Sequence, residues 1–243
     1  MSVFDIFETN LKSKIDASTA DQGSQRKSTL HLSKVESRKD SLGLQLFVKR
    51  VMDIVLSITL MILLAPVFLF TYILVRFNSP GPALFSQYRW GKDGRQIRVY
   101  KFRSMKLESC DESGVDQTTE NDPRLTSIGS FLRQSNIDEL PQLYNVLKGD
   151  MSLVGPRCHV PGMLAAGQLY EDLVPAYHNR HKVRPGLTGL AQVRGFRGPT
   201  VRADKARARI ASDLYYVENF SIWLDIKILI ATIIVEFRGG RGF

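Results

Sequence analysis

From Ile54 to Val75 the chain reads IVLSITLMILLAPVFLFTYILV, with no charged side chain. At 1.5 Å per residue, about 22 residues make a helix of roughly 33 Å, enough to cross a bilayer core. Lys49 and Arg50 precede the run and Arg76 follows it directly. Basic residues favour the cytoplasmic face, so two basic flanks give a single crossing no clear direction. Pro66 lies mid-run, where it removes a backbone hydrogen bond and bends a helix. The pattern therefore admits two arrangements: a re-entrant helix bent at Ala65–Pro66, or a kinked helix that spans.

The rest of the chain has a different texture. Residues 1–43 are polar and mixed in charge, too poor in large apolar groups to offset their ordering entropy, and are expected to be mostly disordered. Phe4, Phe7 and Leu11 sit at helical spacing and form a weak membrane-touching pattern. After the turn cluster Asn78-Ser79-Pro80-Gly81-Pro82, residues 96–102 (QIRVYKF) alternate as a strand does. Residues 108–122 read as an acidic surface loop. Helices are expected over 124–148, 163–182, 203–218 and 222–236, with a strand or loop at 151–157 and a turn-rich loop at 184–189. The last helix, with Asp225 and Lys227, is short for a membrane span and belongs to a core or an interface, and its Trp223 fits either.

Charge narrows the partners. The chain carries a formal +9 and a pI near 9.6, which fits nucleic acid, an anionic membrane face or phosphorylated small molecules. Seven basic side chains and one acid lie between Arg89 and Lys106. The Arg202–Arg209 stretch lacks a nucleic-acid motif around it and reads as a solvated or lipid-headgroup face, so no nucleic-acid partner is expected. Cys110 and Cys158 form no CxxC pair, the N-terminus lacks a secretory pattern, and a reducing compartment follows. His178-x-x-His181 has no third ligand at suitable spacing. Neither a phosphate-binding P-loop nor a dinucleotide glycine motif is present.

The most informative stretch is Arg133–Gly149, RQSNIDELPQLYNVLKG. Pro141 is tolerated only in the first turn of a helix, so that helix is predicted to begin no earlier than Asp138, with Gly149 just past its end. Asp138 and Glu139 then fall in the first turn, where free N–H groups and the helix dipole keep carboxylates ionised. Acids open many helices for stability alone, so the pair by itself does not define a site.

The surrounding wording does. Lys101-Phe102-Arg103-Ser104-Met105, Asp138–Leu143, Gly149–Arg157, Arg180–Gly189 and Tyr215–Asn219 with Leu224–Lys227 follow one another in that order. Together they resemble the bacterial sugar transferases, the monotopic polyprenyl-phosphate phosphoglycosyl transferases, from about Lys49 to about Lys227. The resemblance implies an α+β, mostly helical, membrane-associated catalytic domain with a re-entrant, Pro-bent N-terminal membrane helix. The corresponding parts are a polar segment 1–43, a membrane helix 44–78 and a cytoplasmic catalytic domain 79–243 on the inner membrane. It also implies transfer of a hexose-1-phosphate from a UDP-hexose to polyprenyl (undecaprenyl) phosphate, releasing UMP and initiating exopolysaccharide or related glycan assembly. Asp138 would be the nucleophile, and Glu139 a catalytic partner and ligand of Mg²⁺. Lys101, Arg103, Arg133, Arg157 and Arg184 would bind substrate, with Asp213 matching a family acid of unassigned role. A homo-oligomer is compatible with all of this. Where the family usually reads Gly-Pro-Arg-Pro, this chain has Cys158 after Arg157, which is expected to loosen the turn that aims Arg157. The loop Gln192–Thr200 and His159 look like members that transfer glucose- or galactose-1-phosphate. The competing reading is a non-catalytic, membrane-anchored scaffold or regulator in a glycan assembly complex.

Overall fold

In the computed structural model of the chain, the described residues are 27–106, 108 and 122–238, with side chains described from residue 42. Two compact units divide at Leu44, within the first helix, and the second, from Gln45, holds the rest of that helix, the helix after it and the globular part. Helix α1 runs Lys27–Leu63 and α2 runs Ala65–Asn78. Residues 27–43, expected to be irregular, are thus helical, because adding turns to an existing helix is far easier than nucleating one. The expectation for residues 1–26, with the Phe4–Phe7–Leu11 pattern, lies outside the described residues.

The bend is present and measures 63°. Its break falls at Leu64, one residue before the predicted Ala65–Pro66 step, and Pro66 occupies the first turn of α2. There its missing N–H breaks no hydrogen bond within α2, whereas inside a continuous helix its ring would strike the preceding turn. Among the described residues no single helix is long and apolar enough to cross a membrane; the bent pair together meets that length and composition.

The N-terminal arm is seated on the rest of the unit by polar groups one turn apart. Lys49 Nζ reaches Asp225 (2.6 Å) and the Val154 carbonyl (2.9 Å). The Arg50 guanidinium donates to the carbonyls of Val146 and Leu147. Asp53 accepts from Ser152 Oγ and from the Leu153 N–H. Lys49 and Arg50, which read as topology signals, are therefore also structural anchors.

Strands β1 (Leu84–Trp90) and β2 (Gln96–Phe102) form an antiparallel hairpin with Lys101 opposite Phe85 and Arg89 opposite Ile97. The predicted strand at 96–102 is there. Residues 124–148 are not one helix. They hold α3 (Gly129–Gln134), a 3₁₀ turn (Ile137–Glu139) and α4 (Gln142–Lys148), separated by Asn136 in the left-handed region and by Pro141. Strand β3 (Ser152–Val154) pairs in parallel with β6 (Gly186–Thr188).

The expected helix 163–182 is also broken. Ala166 and Gly167, both at positive φ, close a two-residue hairpin between β4 (Leu164–Ala165) and β5 (Gln168–Leu169). A short α5 (Tyr170–Leu173) and a 3₁₀ stretch (Tyr177–Lys182) follow. Tyr170, Leu173 and Tyr177 have helical spacing but pack from separate pieces onto Ala206 and Ile210. The remaining helices are α6 (Leu190–Val193), α7 (Ala203–Glu218) and α8 (Ile222–Phe237), the last two close to their predicted spans. The main core joins Val99, Leu143, Val146, Met151, Val154, Tyr216 and Ile228. One face of α8 enters it, while Trp223, Ile230, Ile233 and Phe237 stay exposed.

Candidate active site

Asp138 and Glu139 sit in the 3₁₀ turn before α4 rather than in its first turn. Gly149 ends α4 at φ 94, as predicted. Both carboxylates are buried, at 4% and 9% exposure, so their charge must be balanced by neighbouring side chains. Glu139 receives Lys101 Nζ at 2.6 Å and a two-pronged Arg157, whose Nη1 lies 2.9 Å from Oε2 and whose Nη2 bonds Oε1. Burial by itself raises Glu139, but the Arg157 and Lys101 charges and their hydrogen bonds outweigh it and hold the group well below the usual carboxylate range.

Asp138 differs. Among the described residues no donor is hydrogen-bonded to its carboxylate, and burial pushes it up to about 6; Lys101 pulls it down while the Glu139 charge adds to the rise. Glu139 is thus held firmly ionised, as expected, whereas Asp138, pushed up to about 6, is ionised at neutral pH but takes up a proton on mild acidification. Its neighbours respond in turn. Burial lowers Lys101 from its ordinary value against the pull of Glu139 and Asp138. Arg133, also lowered by burial, is within the field of Asp138 and donates to Ser104 Oγ at 2.9 Å. The structure therefore brings together Asp138, Glu139, Lys101, Arg133 and Arg157.

It places three other candidates elsewhere. Arg103 is 2% exposed and donates to the carbonyls of Ser79 and Pro80, fixing the turn after α2. Arg184 donates to the Gly149 carbonyl at 2.8 Å, across the end of α4. Asp213 forms a buried ion pair with Arg180 at 2.6 Å. Arg180 in turn donates to the Arg157 carbonyl, so Asp213 reaches the site through two other residues.

The turn that aims Arg157 is well held despite Cys158. Gly155 N–H donates to Thr188 O, Gly186 N–H to Pro156 O, and Arg89 to Cys158 O. The backbones approach so closely that a Cβ on Gly186 would lie 2.1 Å from the Gly155 nitrogen. The sequence reading missed Arg89 and Arg180 as supports. The polar–apolar alternation of Gln87–Trp90 carries the signal for Arg89, which shares a hairpin face with Gln87 and Lys101.

Among the described residues no group of three metal-ligating side chains exists. The acid pair still fits Mg²⁺ in the mode where one or two carboxylates bind and substrate phosphates and water complete the shell. Among the described residues three donors occupy Glu139, which leaves one of its roughly four lone-pair positions open, on Oε2, and none is hydrogen-bonded to Asp138.

A buried unpaired carboxylate beside a charge-locked one, ringed by three cations, suits the transfer of an anionic group. The Bacterial sugar transferase family model matches residues 44–239, and the chain belongs to that family. It is accordingly an enzyme, a transferase of sugar phosphates. The chain is 60% identical over 200 residues to the "Exopolysaccharide production protein PSS" of Rhizobium leguminosarum bv. phaseoli, covering 82% of this chain and all of that one. It is 46% identical over 195 residues to the UDP-glucose:undecaprenyl-phosphate glucose-1-phosphate transferase of Escherichia coli K12. It is 40% identical over 207 residues to the undecaprenyl-phosphate galactose phosphotransferase of Salmonella typhimurium. These two matches cover 80% and 79% of this chain but 41% of each relative.

Proposed function

We propose that this chain transfers a hexose-1-phosphate from a UDP-hexose to undecaprenyl phosphate, the first step of an exopolysaccharide or related glycan. The observation that carries the reading is the asymmetry of the acid pair: Glu139 is immobilised by Lys101 and Arg157, while Asp138, among cations, has no hydrogen-bond donor among the described residues. The relatives named as undecaprenyl-phosphate transferases supply the substrate class.

In the first step an Asp138 oxygen attacks the sugar-bearing phosphorus. The bond to the bridging oxygen breaks, UMP leaves with the electron pair, and an aspartyl phosphosugar remains. In the second, an oxygen of the lipid phosphate attacks the same phosphorus and Asp138 departs as free carboxylate. Arg133 and Lys101 face the incoming phosphates, and Arg157 keeps Glu139 in register. A Mg²⁺ held by Glu139 and substrate phosphates would supply further neutralisation of two polyanions in one site. The bent pair α1–α2 is read as re-entrant, so that both its ends and the catalytic domain lie on the cytoplasmic face of the inner membrane. The exposed apolar face of α8 rests on the same surface. The test is UMP release from a panel of UDP-hexoses, with and without undecaprenyl phosphate. Release of about one UMP per enzyme without lipid, and sustained release with it, is expected; no UMP in either condition sinks the reading.

A further inference from the structure

The residue that opens the catalytic turn, Asn136, has φ 56 and ψ 12, the left-handed region that side chains other than glycine seldom enter. Asparagine tolerates it better than most, so the backbone alone would account for the residue type. Its side chain, however, is also engaged. Asn136 Nδ2 donates to Glu236 Oε2 at 3.1 Å, across 100 positions of sequence, from the penultimate residue of α8. The other oxygen of Glu236 takes Arg197 Nη1 at 2.6 Å. Arg197 belongs to a loop whose Phe196 and Gly198 carbonyls are held by the buried Arg209.

The turn needs such a tie. The Asp138 carboxylate has no hydrogen bond of its own among the described residues, so its direction is set by the backbone of its three-residue turn. That turn is closed by ordinary bonds, Glu139 N–H to Asn136 O at 3.1 Å and Leu140 N–H to Ile137 O at 3.2 Å. On one side Ile137 packs against the cluster of Val75, Ala83, Phe102 and Leu132. Glu139 fixes the turn's far end through Lys101 and Arg157, and at its opening residue, Asn136, the tie is the Glu236 carboxylate.

We propose that Glu236 is a positioning residue for the transfer reaction: by accepting the Asn136 amide it fixes the turn that aims Asp138, and so ties the nucleophile to the end of the apolar helix α8. The inference rests on the reading of Asp138 as nucleophile. Glu236 touches no substrate. Its link makes the aim of the carboxylate depend on where the end of α8 sits, beside the exposed Ile233 and Phe237.

The test uses the full chain in lipid nanodiscs and follows the single-turnover release of UMP without lipid acceptor. Asn136→Gly keeps the left-handed backbone and removes only the amide; Glu236→Ala removes the acceptor. Each is expected to slow the release step about fivefold, the equivalent of one ordinary hydrogen bond, with UDP-hexose affinity unchanged and Tm lowered by no more than the few degrees such a contact is worth. The double variant is expected to be no slower than either single one, because both remove the same bond. Glu236→Gln, which retains an acceptor, is expected to recover part of the loss. Parent-like release in Asn136→Gly, additive losses in the double variant, or no recovery in Glu236→Gln each overturns the proposal. Absence of UMP release from the parent protein would instead refute the nucleophile reading itself.

Discussion

Asp138→Asn separates function from stability. The substitution keeps shape and removes the anionic oxygen, so UMP release is expected to fall by orders of magnitude. Stability is expected to move the other way. Burial raises Asp138 in the folded state to about 6, from the ordinary aspartate value of 3.8. A folded pKa above the unfolded one means the folded state binds the proton more tightly. Stability from this group is therefore fully present below the unfolded value and is lost as pH rises from about 4 to about 6. At neutral pH the loss is complete, and two units correspond to about 3 kcal/mol at most. The neutral asparagine escapes most of that penalty. At roughly 2–4 °C per kcal/mol for a domain of this size, Tm at pH 7.5 is expected to rise by several degrees. The gain is expected to shrink toward zero at pH 4, where the parent aspartate is itself protonated. Differential scanning fluorimetry in nanodiscs across pH 4–8, paired with the UMP assay, reads both effects. A variant that is inactive but no more stable at pH 7.5 than the parent would refute the claim that the carboxylate is buried without a partner.

Three further outcomes follow from the same geometry. Lys101→Met removes a cation that lowers Asp138, so the acid limb of kcat/KM, placed near 6 in the parent, is expected to move up by roughly one unit; an unmoved limb would show that Lys101 does not act on Asp138. Excess chelator is expected to abolish turnover and Mg²⁺ to restore it, whereas turnover indifferent to chelation would remove Glu139 from any metal role. With Cys110 and Cys158 changed to serine, single cysteines at Leu42 and Lys92 are both expected to be shielded from an impermeant thiol reagent in intact cells, and labelling at position 42 alone would establish a spanning helix.

What the sequence made legible was whatever depends on short spacings. The alternation of Gln96–Phe102, the uncharged run around Pro66 and the glycine after Lys148 each act within a few residues, and each appears where it was read. Helix continuity was misjudged where local exceptions interrupt an otherwise helical rhythm, at Asn136 and at Ala166-Gly167. In the site, five of the eight candidate side chains converge. Arg103 and Arg184, from the same motif wording, end on backbone carbonyls, and Asp213 pairs with Arg180. A motif records which residues occur together, not whether an arginine ends on a phosphate or on a carbonyl. Pairings such as Glu236 with Asn136 join distant segments, and no local pattern announces them.

The buried pair Lys49–Asp225 shows how the bent helices and the catalytic core depend on each other. Asp225 is fully buried, and its carboxylate is satisfied by Lys49 at 2.6 Å and by the Tyr216 hydroxyl at 2.7 Å. Lys49 also binds the Val154 carbonyl, at the end of the strand that leads into Gly155-Pro156-Arg157. A buried pair of this kind adds little net stability over an apolar substitute, but leaving one member alone is costly. Lys49→Met is therefore expected to destabilise by about 3–5 kcal/mol at neutral pH. Burial already raises the Asp225 carboxyl, with Lys49 opposing the rise, so the variant lets it climb further. By the same sign as for Asp138, the deficit is then largest above the raised value and shrinks as pH falls toward the ordinary carboxylate range. Adding Asp225→Asn removes the orphaned charge and is expected to recover most of the loss. Urea unfolding of the two variants and the parent at pH 5 and pH 8 decides it. If Lys49→Met is equally destabilised at both pH values and the second substitution recovers nothing, the lysine acts through packing of its stem rather than through its charge.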